Sequence, residues 1–445
     1  MARLIRSRRA PLLAVALFLG VASVAACSGS PAPPPGRGVA AQAPGQKPGS
    51  PLPAGSGCLL PPASCYAPHV FRVAYGIQPL LDRGIVGRGE TVTVMAPVSS
   101  PGAPAGGPSG IDIRKDLAAF DRMFGLPAAR IQVVTTLAGE ASPWRASGEE
   151  IQDFEIVHTV APAATLRVVL LPSNVLNSAA TATADMISAL RLAVSGTDVA
   201  SISFSIGEHY FSTAQVRQMH AILVRAAAHH VTVDGSSGDA GASSDPRWGT
   251  ADKEVSLPAS DPLVLAVGGT TLTANPSTGA YTGETAWGGQ SGFVQTSIGS
   301  GGGFSHRYAR PAYQDGVPGI GAMRGVPDVA GDAGQPGLAV VFTDGGSTSV
   351  VSAGGTSASA PLWGGLMALA DQDAHHDLGF ANPAIYRIAR GSSYHQAFHD
   401  VVTGSNSVTE GASTVTGYQA GPGWDPVTGW GSPDAQALVP LLMRE

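Results

Sequence analysis

From Glu90 onward the chain alternates short β-branched runs with longer stretches whose apolar positions recur every three or four residues. The short runs are ETVTVMA (Glu90–Ala96), LRVVLL (Leu166–Leu171), VASISFS (Val199–Ser205), VTVDG (Val231–Gly235), LVLAVGG (Leu263–Gly269) and LAVVFT (Leu338–Thr343). Their near-continuous hydrophobicity predicts strands buried on both faces. The helical stretches are Asp112–Phe124, Glu149–Val160, Ser178–Val194, Thr213–His229 and Ser357–Asp371. Strand, helix and strand repeated in this way predict an α/β fold with a mostly parallel central sheet covered by helices on both faces. Ligands and chemistry in such sheets gather at the carboxyl ends of the strands. Two polar, glycine-rich segments fall there: SSGDAG after Val231–Gly235, and GGTSASAP after the later strands.

The first 57 residues read differently. MARLIRSRRA is basic, PLLAVALFLGVASVAA is apolar but short for a membrane span, and Cys27 follows. This predicts a signal peptide over residues 1–26. The small residues before Cys27 resemble the lipobox of bacterial lipoproteins, in which that cysteine becomes the lipidated N-terminus; a plain secretory signal cut nearby is the alternative. Residues 27–57 are rich in Pro, Gly, Ala and Ser and predict a tether, with a globular domain over 58–445. An extracytoplasmic location follows, anchored to the outer face of a bacterial membrane or secreted.

Composition sharpens this. The 445 residues are 44% hydrophobic and only 13% charged, so a sizeable core is expected. The net charge is −6, and no Lys/Arg cluster occurs beyond the leading segment, which argues against nucleic acid as a partner. The expected state is a monomer, and the expected membrane contact the lipid anchor alone. Of the three cysteines, Cys58 and Cys65 remain once Cys27 is assigned to lipid, and they can pair in an oxidising compartment.

Ser357 raises the question of chemistry. A serine hydroxyl is a weak nucleophile until a neighbour accepts its proton. None of the 11 histidines lies in a His-Gly context, no Gly-x-Ser-x-Gly elbow occurs, and His-Glu-x-x-His is absent. His158, His229 and His230 read as core or helix-end residues. A carboxylate is the other available base. Glu149 and Asp153 stand four residues apart, hence on one helix face, with Ile151, Phe154, Val157 and Val160 covering the core side. Such a pair can share a proton, which removes its mutual repulsion. Taken alone, the pair reads as an ordinary solvated helix face.

GGTSASAP, together with Glu149-x-x-x-Asp153 and SSGD, resembles the sedolisin family of serine-carboxyl peptidases. VFRVAYGI, DLAAFDRMFGLP, VAPAATLRVV, PASDPLVLAVGGTTL, VPDVAG and AGPGWDPVTGWGSP extend the likeness from Tyr66 to Leu442. The resemblance implies a subtilisin-like three-layer α/β/α fold and an acid-active serine-type peptidase, whose partner is a peptide or protein substrate. In it Ser357 is the nucleophile, Glu149 its base, Asp153 the partner of that base, and Asp239 the stabiliser of the oxyanion. It also implies one structural calcium ion, held by Asp400 and Asp425 with carbonyls of Val401, Gly421 and Gly423. Two departures stand out. Only the tether precedes the domain where the family has a folded prodomain, and Ala96 and Ile206 occupy positions where some members extend the triad with Glu and Trp. A non-catalytic surface-binding protein on the same fold is the alternative that the prodomain departure motivates.

Overall fold

The computed structural model describes residues 65–98, 111–135, 145–146, 148–172, 179–243, 252–291, 297–344, 347–410 and 413–444. The signal segment, Cys27, the tether and Cys58 lie outside them. Cys65 is disulfide-bonded.

Seven parallel strands form the centre of a ten-stranded sheet. In chain order they are β1 (Thr91–Val98), β2 (Arg130–Thr135), β3 (Thr165–Pro172), β4 (Val199–Ile202), β5 (Thr232–Ser236), β6 (Leu265–Ala274) and β7 (Val329–Asp332). Their spatial order is β2-β3-β1-β4-β5-β6-β7. Antiparallel strands join at Tyr281–Ala286 beside β6 and at Arg145–Ala146 beside β1. The register pairs Val94 of β1 with Val168 of β3 and with Ser201 of β4.

Five long helices cover the faces: α1 (Ile113–Phe124), α2 (Gly148–Val160), α3 (Ala179–Ala193), α4 (Thr213–Ala228) and α5 (Thr356–Ala374). Because successive side chains of a strand point to opposite faces, the sheet divides the interior into two cores. Val92 and Val94 of β1 and Leu166, Val168 and Leu170 of β3 pack with α2 and α5. Met95 of β1, Val169 of β3 and Ile202 of β4 pack with α3 and α4. The layers are therefore helix, sheet, helix, as the sequence predicts. Among the described residues no helix is long and apolar enough to cross a membrane.

The expected strand at Leu338–Thr343 forms, over Gly337–Asp344, but not in this sheet. It pairs with Ser347–Ser352 and with Cys65–Tyr66 as a separate three-stranded sheet. Apolar content marks a buried strand without saying which sheet it joins. The main-sheet strands β2 and β7 were not among the expected ones; β7, VAGD, is four residues long and carries too little pattern.

Helix α5 is buried from Thr356 to Asp371 on all sides. Gly364 and Gly365 let it sit this deep. A Cβ on Gly365 would lie 2.7 Å from the Val160 Cβ of α2, and one on Gly364 would lie 2.9 Å from the Ser201 Cβ of β4. The glycine pair thus brings the helix against α2 on one side and the sheet on the other.

Candidate active site

Ser357 occupies the first turn of α5 and is 7% exposed. The helix begins at Gly355, whose φ of +77° is a left-handed conformation that suits glycine. Asp239, in the segment after β5, meets this first turn. Its Oδ1 accepts the Thr356 backbone N–H at 2.8 Å and the Thr356 hydroxyl at 2.7 Å. The carboxyl thus satisfies a donor that a helix start leaves without an intrahelical partner, in a region of positive helix potential. The Thr356 hydroxyl oxygen in turn accepts the Gly238 N–H at 3.1 Å. A Cβ at Gly355 would come 2.6 Å from Asp239 Oδ2, so the glycine also leaves that oxygen room.

The Ser357 hydroxyl points along the carboxyl edge of the sheet. It donates to the Ser203 carbonyl at 3.4 Å, and the Ser203 hydroxyl donates to the Ser357 carbonyl at 3.3 Å. Ser203 directly follows β4. Its carbonyl also accepts the hydroxyl of Ser236, the last residue of β5, at 2.8 Å. The expected location at the carboxyl ends of the strands is the observed one.

Helix α2 reaches the same place. Gln152 Nε2 donates to the Gly354 carbonyl and Gln152 Oε1 accepts the Gly354 N–H, both at 3.2 Å. This doubly bonded amide fastens α2 to the turn that leads into Ser357. Asp153, the next residue, is 1% exposed. Every residue from Ile151 to Val160 is buried, including Glu155, His158 and Thr159. The solvated-face reading of Glu149 and Asp153 therefore fails at Asp153. Glu149 lies in the first turn of α2, and its side chain is outside what the structure describes.

His158 is a core residue, with Nε2 2.8 Å from the Pro127 carbonyl and 3.0 Å from Asp121. His229 caps α4 and His230 follows it with φ +56°. Among the described residues none of the three hydrogen-bonds to Ser357, whose partner is Ser203. Gln152, Ser203, Ser236 and Thr356 were not among the expected site residues. A glutamine inside an otherwise buried helix, and small hydroxyl residues directly after strands, were the available signals.

No family model matches the chain. Kumamolisin from Bacillus sp. (strain MN-32) is 35% identical over 306 residues, which is 66% of this chain and 51% of kumamolisin. Sedolisin from Pseudomonas sp. (strain 101) is 37% identical over 220 residues, 49% of this chain and 36% of sedolisin. The solved Pseudomonas sedolisin, a serine-carboxyl proteinase complexed with two molecules of pseudo-iodotyrostatin, superposes with a TM-score of 0.69 at 28% identity. That match covers 84% of this chain and 97% of the solved one. In sequence and in fold the chain is similar to the sedolisin family. It spans about half or less of the length of these two curated relatives, while the sedolisin fold it shares with the solved structure is nearly whole.

The two carboxylates among the expected calcium ligands, Asp400 and Asp425, come together on adjoining loops. The Gly423 N–H bridges both Asp400 oxygens at 3.2 and 3.1 Å. Asp425 Oδ1 accepts from the N–H groups of Val427 and Thr428, and its Oδ2 from the Gly421 N–H and the Thr428 hydroxyl. Burial pushes the Asp425 carboxyl up to about 6, against the backbone hydrogen bonds that favour its charge. The Val401 carbonyl lies against the Thr428 hydroxyl at 3.5 Å. Two carboxylates on facing loops, one of them costly to ionise where it is buried, fit a hard cation as a donor set.

Proposed function

We propose that this chain is an exported, acid-active serine-carboxyl peptidase that cleaves peptide bonds through an acyl-enzyme. Glu149 takes the proton of Ser357 Oγ as that oxygen bonds to the substrate carbonyl carbon. The C–O π pair moves onto oxygen, and Asp239, neutral, donates a hydrogen bond to this oxyanion. Collapse breaks the C–N bond, and Glu149 passes its proton to the leaving amine. Water then repeats the sequence on the ester and frees Ser357. Asp153, one helical turn from Glu149, shares a proton with it and orients it.

The observation that carries this reading is the seating of Asp239 on the first turn of the Ser357 helix. Its Oδ1 already accepts two hydrogen bonds, so a proton on the carboxyl belongs on Oδ2, the oxygen beside which only glycine is tolerated at 355. A donor of this kind is worth about 10²–10³ in rate. Both a neutral Asp239 and a glutamate base with an ordinarily low pKa favour acid conditions. Calcium would be held by Asp400 and Asp425 with carbonyls of Val401, Gly421 and Gly423. Bound there, it would supply positive charge that offsets the buried carboxylates and ties the two loops together. Export as a lipoprotein on Cys27 completes the proposal.

The test is cleavage of a peptide library by the full chain, with calcium, from acid to neutral pH, beside Ser357→Ala. Cleavage that peaks on the acid side and vanishes in the variant, with its melting curve unchanged, is expected. Absence of Ser357-dependent cleavage at every pH rejects the reading.

A further inference from the structure

A second acidic group stands at the opposite end of α5 from Ser357. Glu90 directly precedes β1, Asp371 lies in the last turns of α5, and Asp377 follows that helix. One oxygen from each lies within 4.8 Å of the others. Two oxygens bound to one calcium, at roughly 2.3–2.6 Å each, stand at most about 5 Å apart. The spacing of the three is therefore compatible with a single ion.

Asp371 supplies an independent observation. It is 1% exposed; its Oδ1 accepts the Leu378 N–H at 2.8 Å, and its buried Oδ2 has no hydrogen-bond partner among the described residues. An unmatched buried carboxylate oxygen is unfavourable unless a proton or a positive group meets it. The charges acting most strongly on Asp371 are Glu90, Asp377 and Asp198, all negative. Burial and these neighbours hold the Asp371 carboxyl at about 8, and burial with Asp198 and Asp377 holds Glu90 at about 7. The C-terminal end of a helix adds further negative potential.

The surroundings are built to hold this arrangement. Gln372, next to Asp371, accepts the N–H groups of Val86 and Arg88 at 2.7 and 2.9 Å and donates to the Gly84 carbonyl at 3.0 Å. This clamp seats the loop that delivers Glu90. Asp198, directly before β4, accepts the Thr91 N–H at 2.7 Å and so joins the starts of β1 and β4.

We propose that Glu90, Asp371 and Asp377 bind a calcium-type hard divalent cation at the amino ends of β1 and β4. The site is separate from the Asp400–Asp425 loops. It fastens the far end of the helix that carries Ser357, about 21 Å away along the helix at 1.5 Å per residue. The proposal does not depend on the peptidase reading, because its test measures binding alone.

The test is calorimetric titration of the chelator-stripped full chain with calcium chloride, for wild type, Glu90→Gln/Asp377→Asn and Asp400→Asn. Both substitutions of the double variant remove charge at nearly constant size. The double variant is expected to bind one calcium equivalent fewer than wild type, and Asp400→Asn to keep the equivalent that the double variant loses. Asp377→Asn alone, at a partly exposed position, is expected to weaken that equivalent at least tenfold and to shrink the calcium-induced rise in Tm. Equal stoichiometry in wild type and the double variant overturns the proposal. So does calcium binding that Asp400→Asn abolishes entirely, and so does a wild type that binds none.

Discussion

Gln152 joins two parts of the site that lie some two hundred residues apart in the chain. Its amide matches both polar groups of Gly354, and neither match survives replacement by an apolar side chain of similar length. Gln152→Met is expected to cost about 1–3 kcal/mol, because Gly354 loses partners for a donor and an acceptor in a partly buried turn. It is also expected to lower kcat on the order of tenfold, since that turn sets the entry of Ser357 relative to α2. Thermal denaturation and steady-state kinetics on one preparation check both. Gly355 makes a second residue-scale case. Gly355→Ala would put a Cβ 2.6 Å from Asp239 Oδ2 at a backbone φ of +77°. Cleavage is expected to fall at least a hundredfold, read from kcat/KM, with KM little changed if Asp239 acts on the developing oxyanion.

At the scale of elements, helix α5 decides how the site is assembled. Its glycine pair lets α2 and the sheet approach together, and Gly365→Ala would press a methyl to 2.7 Å from the Val160 Cβ. A loss of about 1–3 kcal/mol is expected from such overpacking, measurable as a lower denaturant midpoint. How much of this was legible in the sequence differs by element. All five long helices formed within two or three residues of their expected bounds, because each carries ten or more residues of helical pattern. Five of the six expected strands entered the main sheet, since long β-branched runs buried on both faces have few other places to go. The sixth, over Gly337–Asp344, and the short VAGD strand show where pattern runs out. Pairing partners are set by long-range packing, which a local window does not contain. Motifs singled out Ser357, Asp239 and Asp153 as candidates, and the fold sets Asp239 against the first turn of the helix that carries Ser357. Gln152 and Ser203 carry no motif. Their roles arise only when α2, β4 and the turn before α5 meet.

Across the whole molecule, burial of acids is a recurring feature. Asp234, Glu155 and Asp332 are fully buried, and loss of solvation raises all three carboxyls well above their ordinary range. A carboxyl raised in the folded state binds a proton that the unfolded chain has already released. Stability from each is therefore full below about pH 4, the ordinary carboxyl range, and falls as pH rises toward the raised value. The slope is at most about 1.4 kcal/mol per pH unit for each group. Asp234→Asn keeps the shape beside Ser201 and Gly364 without the proton dependence. Its stability relative to wild type is expected to rise steadily as pH increases from 4 toward 7; a flat difference across that range would show that Asp234 is not held neutral. A fold stabilised by protonation suits the proposed acid chemistry, in which Glu149 takes the Ser357 proton. The most direct measurement is the pH profile of kcat/KM for wild type beside Glu149→Gln, on one peptide substrate. An acid-side optimum in wild type and a loss of about 10²–10⁴ in the variant at every pH is the predicted result. Near wild-type cleavage by Glu149→Gln, on any part of the profile, would contradict it.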